Sequence, residues 1–177
     1  MGSPEDEWGR DRNEYLHEVE HSYGYKIAVT EVTCAQWKSL STGLESLCVS
    51  YSDCERCDCT EDDCPVPKVT LENAKIWLDA LSVSAGLEPC YENEASWPTP
   101  MHCPGYRLPT ESEWERAARA DDNRATYNGG LSGSSYKEQR FEVLEPIAWC
   151  GGGMADEERR ARPVAQKLPN SWGLYDM

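Results

Sequence analysis

Residues 105–119 read Gly-Tyr-Arg-Leu-Pro-Thr-Glu-Ser-Glu-Trp-Glu-Arg-Ala-Ala-Arg, and they spell a helix with a marked start. Thr110 is a strong N-cap, and Glu113 three residues later completes a capping box. Pro109 keeps Leu108 extended before the cap. Glu111 and Glu113 put negative charge in the first turn, where the helix dipole favours it. Trp114, Ala117 and Ala118 fall at i, i+3 and i+4, which predicts one apolar stripe. The stretch is therefore a short amphipathic helix entered from an extended Arg-Leu-Pro.

Working outward, Thr33 and Gln36 form a second capping box, predicting a helix to about Leu40. Thr70 caps a further helix through about Ala85, with Leu71, Ala74, Trp77, Leu78 and Leu81 as its apolar face and Gly86 as its stop. Residues 13–32 alternate loosely and predict two strands, 14–21 and 24–31, around Tyr23-Gly24. Residues 41–64 are an acidic cysteine-rich loop. Residues 88–104 hold four prolines and two cysteines, an irregular insert. Residues 121–140 and Gly151-Gly152-Gly153 are polar or glycine-rich and read as surface loops. No repeat or long linker divides the chain, so the expectation is one α+β domain, rich in loops.

The wording of the capped helix closely resembles the Arg-Leu-Pro-Thr-Glu-x-Glu-Trp-Glu segment of the formylglycine-generating enzyme (sulfatase-modifying factor) domain. Three further stretches resemble that family in its own order. They are Met1-Gly2-Ser3-Pro4 with an acidic run and then Glu31-Val32-Thr33-x-x-Gln36-Trp37; Cys64-Pro65-Val66-Pro67-Lys68-Val69-Thr70 before a helix; and Pro163-Val164 through Pro169-Asn170-Ser171-Trp172-Gly173-Leu174-Tyr175-Asp176-Met177. The resemblance implies a C-type-lectin-like architecture. It also implies that residues 1–177 are a single incomplete domain, cut before a Trp-Glu-Trp strand and without the natural N-terminus. On that expectation Trp149 and Trp172 lack partners, and the chain exposes apolar surface.

Composition narrows the function. The 177 residues carry 17 basic and 32 acidic side chains, a net charge of −15. Such a balance argues against nucleic acid and against anionic membrane surfaces; a solvated surface is the plainer reading, cation binding the sharper one. There is no apolar run long enough to span a membrane. The first twenty residues hold seven acids and no apolar core of a signal peptide.

Nine cysteines are many for a cytosolic chain and favour disulfides in an extracellular or periplasmic protein. The odd count leaves one thiol over. Cys54-x-x-Cys57-x-Cys59-x₄-Cys64 has the look of zinc ligands. However, residues 53–63 carry six acids and one arginine, and a thiolate site adds further negative charge. Stapling of the loop is favoured over zinc, with Cys48 or Cys54 to Cys64, and Cys90 to Cys103, as candidate pairings. A redox role for Cys54-x-x-Cys57 is discounted, since the flanking acids raise the thiol pKa.

The histidines, His17, His21 and His102, form no catalytic arrangement. In a strand His17 and His21 would share a face about 13 Å apart. No glycine-rich phosphate loop is present. The family resemblance places Asp176 at a calcium-ligand position, where a hard oxygen suits the ion; the family's other calcium site has no matching Asn before Trp149. The family's oxidase holds copper(I) on two cysteines that lie downstream of the Gly-Leu-Tyr-Asp-Met segment, soft thiolates suiting that ion. None of the nine cysteines here matches that pair, so no catalytic residue carries over. The chain is thus expected to be a non-catalytic, exported binding or accessory protein with a protein or peptide partner. The alternative is part of an oxygen- and copper-dependent cysteine oxidase that generates formylglycine in sulfatases.

Overall fold

The computed structural model describes residues 1–5, 7, 10–41, 62–92, 94–122, 144–149 and 161–177. Three α-helices stand among them: α1 (Cys34–Ser41), α2 (Leu71–Ser84) and α3 (Glu111–Arg119). Short 3₁₀ turns at Glu94–Ser96 and Pro100–His102 lie within the Pro/Cys insert. The chain forms two compact units. The first combines Met1–Glu31, Pro109–Arg159 and Val164–Met177; the second combines Val32–Leu108 and Arg160–Pro163.

In the second unit, Thr33 caps α1 as its sequence dictates. The Thr33 Oγ1 accepts the Gln36 N–H at 3.3 Å, and the Gln36 side chain accepts the Thr33 N–H at 3.0 Å. An isolated antiparallel bridge joins Thr33 to Pro65, flanked by Cys34 N–H donating to Cys64 O at 2.8 Å and Val66 N–H to Val32 O at 3.0 Å. Trp37 of α1 stacks on Trp77 of α2, ring centres 5.5 Å apart and planes 8° from parallel. Trp77 Nε1–H also donates to Trp37 O at 3.2 Å, so the indole buries its apolar body without stranding its polar atom. Val32, Leu40, Val66, Val69, Ile76, Leu78 and Leu81 pack around this pair. Leu71, expected on the same face, is instead 62% exposed, because the first turn of α2 begins outside the packed layer. Gly86 follows α2 with φ +72°, the left-handed stop that glycine adopts freely.

In the first unit, α3 opens with both arms of the Thr110/Glu113 capping box in place. Glu113 is fully buried. Its carboxylate accepts the Thr110 N–H at 2.8 Å, and its own carbonyl accepts the Tyr25 hydroxyl at 2.8 Å. Ala117 is buried as the stripe predicts, but Trp114 is 48% exposed. The helix turns Glu113 and Ala117 inward, and Trp114 lies a hundred degrees round from Glu113.

The two strands expected at 14–21 and 24–31 do not form. Their residues make only an isolated parallel bridge, Ser3 to Tyr15. Tyr15 and Leu16 are adjacent and both exposed, so no alternating face is buried and period-two pairing has nothing to stabilise it. The backbone finds other partners: His17 N–H donates to Met1 O at 3.0 Å, and Val29 O accepts the Tyr175 N–H at 2.9 Å. Among the described residues, β-structure is limited to the two isolated bridges.

Candidate functional site

Asp176 lies beside residues 29–31 because Tyr175 bonds to Val29. Its Oδ2 accepts the Ala165 N–H at 2.8 Å. Ala165 and Asp176 both have left-handed backbones, φ +58° and +56°, an uncommon choice for non-glycine residues that persists where surroundings hold it. Glu31 is the acid nearest in effect. Partial burial, then the Asp176 charge, pushes its carboxyl above the ordinary carboxylate range. The Asp176 charge thus bears on the Glu31 carboxyl, and no ion pair to a Lys or Arg among the described residues offsets either acid. Among the described residues no group of three or more His, Cys, Asp and Glu side chains is arranged to hold a metal. The pair suits a hard cation in charge and donor type, but supplies only part of the six to eight oxygens that calcium takes.

Of the cysteines, Cys90 and Cys103 are joined across the insert, with Cα atoms 5.6 Å apart. Cys34 and Cys64 are also half-cystines. Cys64 therefore offers no thiolate to zinc. Cys34, buried at the start of α1, is a half-cystine to which the sequence reading gave no partner. Cys48, Cys54, Cys57, Cys59 and Cys150 fall outside the described residues, as do the pairings proposed for Cys48 and Cys54.

Two residues missed by sequence reasoning organise the insert. Asp79 of α2 accepts three successive backbone N–H groups: Oδ1 from Cys90 at 2.8 Å and Tyr91 at 2.9 Å, Oδ2 from Glu92 at 2.7 Å. Ser82, one turn on, accepts the Tyr106 N–H at 2.8 Å while donating to Leu78 O at 2.8 Å. The signal was an Asp and a Ser spaced i, i+3 on a helix flanked by a proline-rich segment, a polar face that needs partners.

Asn170 does the same in the first unit. Its Nδ2 donates to Ala117 O at 2.7 Å and Ala118 O at 3.2 Å. Its Oδ1 accepts the Trp172 N–H at 3.0 Å and the Leu174 N–H at 3.1 Å. The Asn-Ser-Trp-Gly-Leu turn is thereby fastened to the end of α3. The two tryptophans expected to lack partners each lie beneath a cation. Lys167 Nζ sits 3.9 Å from the centre of the Trp149 ring, and Arg116 Cζ 5.8 Å from that of Trp172.

His17 Nδ1 lies 2.8 Å from Tyr15 O, and His102 Nδ1 2.7 Å from Thr99 Oγ1. His21 sits between Tyr23 and Tyr25, ring centres 6.2 and 5.7 Å away. The geometry brings no nucleophile, base and orienting acid together among the described residues.

Comparison with known proteins gives the family and the fold. The family model described as a sulfatase-modifying factor enzyme 1-like domain matches residues 1–177. A curated relative from Paenibacillus barcinonensis, named chaperone protein LppX, is 28% identical over an alignment that takes in 64% of this chain and 48% of the relative. Among solved structures, Treponema denticola variable protein 1 superposes with TM-score 0.56 at 26% identity, covering 82% of this chain and 56% of that one. CarF superposes with TM-score 0.53 at 27% identity, covering 83% and 62%. The chain spans about half the length of the curated relative it matches.

Proposed function

The chain belongs to the sulfatase-modifying factor enzyme 1-like family, and from that premise we propose that these 177 residues serve as a non-catalytic binding or accessory module of an exported protein. One observation carries the reading. Cys34, Cys64, Cys90 and Cys103 are all half-cystines, so these four sulfurs are taken up in stapling the chain, which supports a scaffold that presents loops. A relative named as a chaperone supports an accessory role, and disulfides support an oxidising compartment. No helix among the described residues is long and apolar enough to cross a membrane. The domain is read as one loop-rich, lectin-like α+β scaffold.

The test is an aldehyde assay on a Cys-x-Pro-x-Arg peptide with copper and a reductant. We expect no aldehyde from the 177-residue chain; measurable turnover would establish the oxidase alternative. Calcium is a second element of the proposal, with Asp176 and Glu31 as the chain's own oxygen donors. Their mutual repulsion supports it, since a bound cation would relieve it. Calcium should raise the melting temperature of the wild-type chain and leave Asp176→Asn unmoved. An equal shift in both would remove Asp176 from the site.

A further inference from the structure

The first unit carries a row of rings ending on a cation that has no carboxylate partner among the described residues. Tyr23, His21 and Tyr25 follow one another at 6.2 and 5.7 Å. The Tyr25 hydroxyl is anchored on the Glu113 carbonyl of α3. Arg116 lies one turn further along α3, at i+3 from Glu113 but on its exposed side; burial raises the Tyr25 phenol pKa, and the Arg116 charge opposes that rise. Its guanidinium then rests over Trp172, which is 43% exposed.

Arg116 is exposed, and no carboxylate among the described residues pairs with it. That is unusual in a chain with 32 acids and 17 bases. The neighbouring Arg119, by contrast, is held by Glu115 at 2.8 Å and Glu7 at 3.9 Å. A guanidinium that lies over an indole uses its face and leaves the in-plane N–H fork open. That fork matches a carboxylate in two parallel hydrogen bonds. Tyr, Trp and Arg are also the side chains that carry most binding energy at protein interfaces.

We infer that the Tyr23–His21–Tyr25–Arg116–Trp172 face docks a peptide segment in which a carboxylate adjoins an aromatic or aliphatic side chain. The carboxylate takes the open fork of Arg116. The apolar side chain lies along the Tyr25 and Trp172 rings. A basic segment is refused by Arg116, and a neutral one forfeits the charge-assisted bonds. This inference rests on the binding-module reading and gives its partner a chemistry.

The experiment titrates the 177-residue chain with three synthetic peptides, Gly-Glu-Phe-Gly-Glu-Phe-Gly and its Gln and Lys counterparts. Tryptophan fluorescence and calorimetry are the readouts. The Glu peptide should bind about tenfold or more tightly than the Gln peptide, one charge-assisted bond's worth, and the Lys peptide not at all. Arg116→Gln and Trp172→Ala should each abolish that preference with the melting temperature unchanged, while Arg116→Lys, which keeps charge without the fork, should restore only part of it. Equal binding of the Glu and Gln peptides overturns the inference. So does an unchanged preference in Arg116→Gln, or binding of a heparin hexasaccharide where the peptides fail. Failure here leaves the aldehyde assay to judge the module reading alone, and aldehyde there leaves this face to be judged here.

Discussion

The Asp79 carboxylate accepts the backbone N–H of Glu92 at 2.7 Å, and through the same group it also holds Cys90 and Tyr91. Three N–H groups converging on one carboxylate form an anion-binding concavity that the chain fills with its own side chain. Replacing Asp79 by Ala leaves those donors to water and frees the start of the insert. We expect a loss of about 2–3 kcal/mol, read as a lowered urea midpoint, and faster reduction of Cys90–Cys103 by dithiothreitol. An unchanged midpoint would show that the insert is positioned by the disulfide alone.

Asn170 is used on both sides of its amide, donating to two carbonyls and accepting from two N–H groups. Asp keeps the acceptor but turns the donor into a second acceptor against Ala117 O and Ala118 O. Asn170→Asp should therefore be worse than Asn170→Ser, and both should cost on the order of 2–4 kcal/mol. Chemical denaturation at neutral pH checks the order; as the pH falls and the new carboxyl gains a proton, the Asp variant should recover.

Gly105 has no room for a side chain. A Cβ there would meet Glu88 O at 2.2 Å and Ser82 Oγ at 2.7 Å. The Glu88 carbonyl is backbone and cannot swing aside. Gly105→Ala should cost about 1–3 kcal/mol. Gly24, where a Cβ meets nothing within 4 Å, is the control, and its Ala variant should stay within about 0.5 kcal/mol of wild type.

The raised Glu31 carboxyl makes stability depend on acid. A carboxyl whose folded pKa exceeds its unfolded one binds its proton more tightly in the folded state. Its contribution is therefore present in full below the unfolded value and is lost as pH rises through the folded one. Glu31→Gln should remove that loss, leaving the variant more stable than wild type at neutral pH and flattening the melting temperature across the window above the ordinary Glu range. Asp176→Asn should move the profile the same way by a smaller amount, because burial is the larger cause and the Asp176 charge the lesser. A wild-type profile rising through that window would contradict the assignment.

Thr110 supplies one arm of the α3 capping box. Thr110→Ala should destabilise the first unit by about 1 kcal/mol, and Thr110→Ser much less, since the hydroxyl is retained. Melting of the two variants under identical conditions separates the cap from general packing.

The amino-acid sequence determined what is settled within four residues along the chain. Thr33 with Gln36, Thr70 with Asn73 and Thr110 with Glu113 meet because a helical first turn brings i and i+3 together. The left-handed stop at Gly86 is equally local, and the exact wording of those segments was enough to point to the family. Tertiary structure decided the rest, because burial and long-range bonding depend on what lies opposite. Residues 14–31 carry a loose alternation, yet their backbone bonds to Met1 and Tyr175 in place of a ladder. Trp114 looks like core and lies outside, while Glu113 is fully buried, its carboxylate taken by the Thr110 N–H of the cap and its backbone carbonyl by the Tyr25 hydroxyl. Asp79 and Cys90 stand eleven residues apart, and Arg116 lies over Trp172 from far along the chain. No local period encodes such meetings; they exist only once two segments have packed and their polar groups have had to find one another away from water.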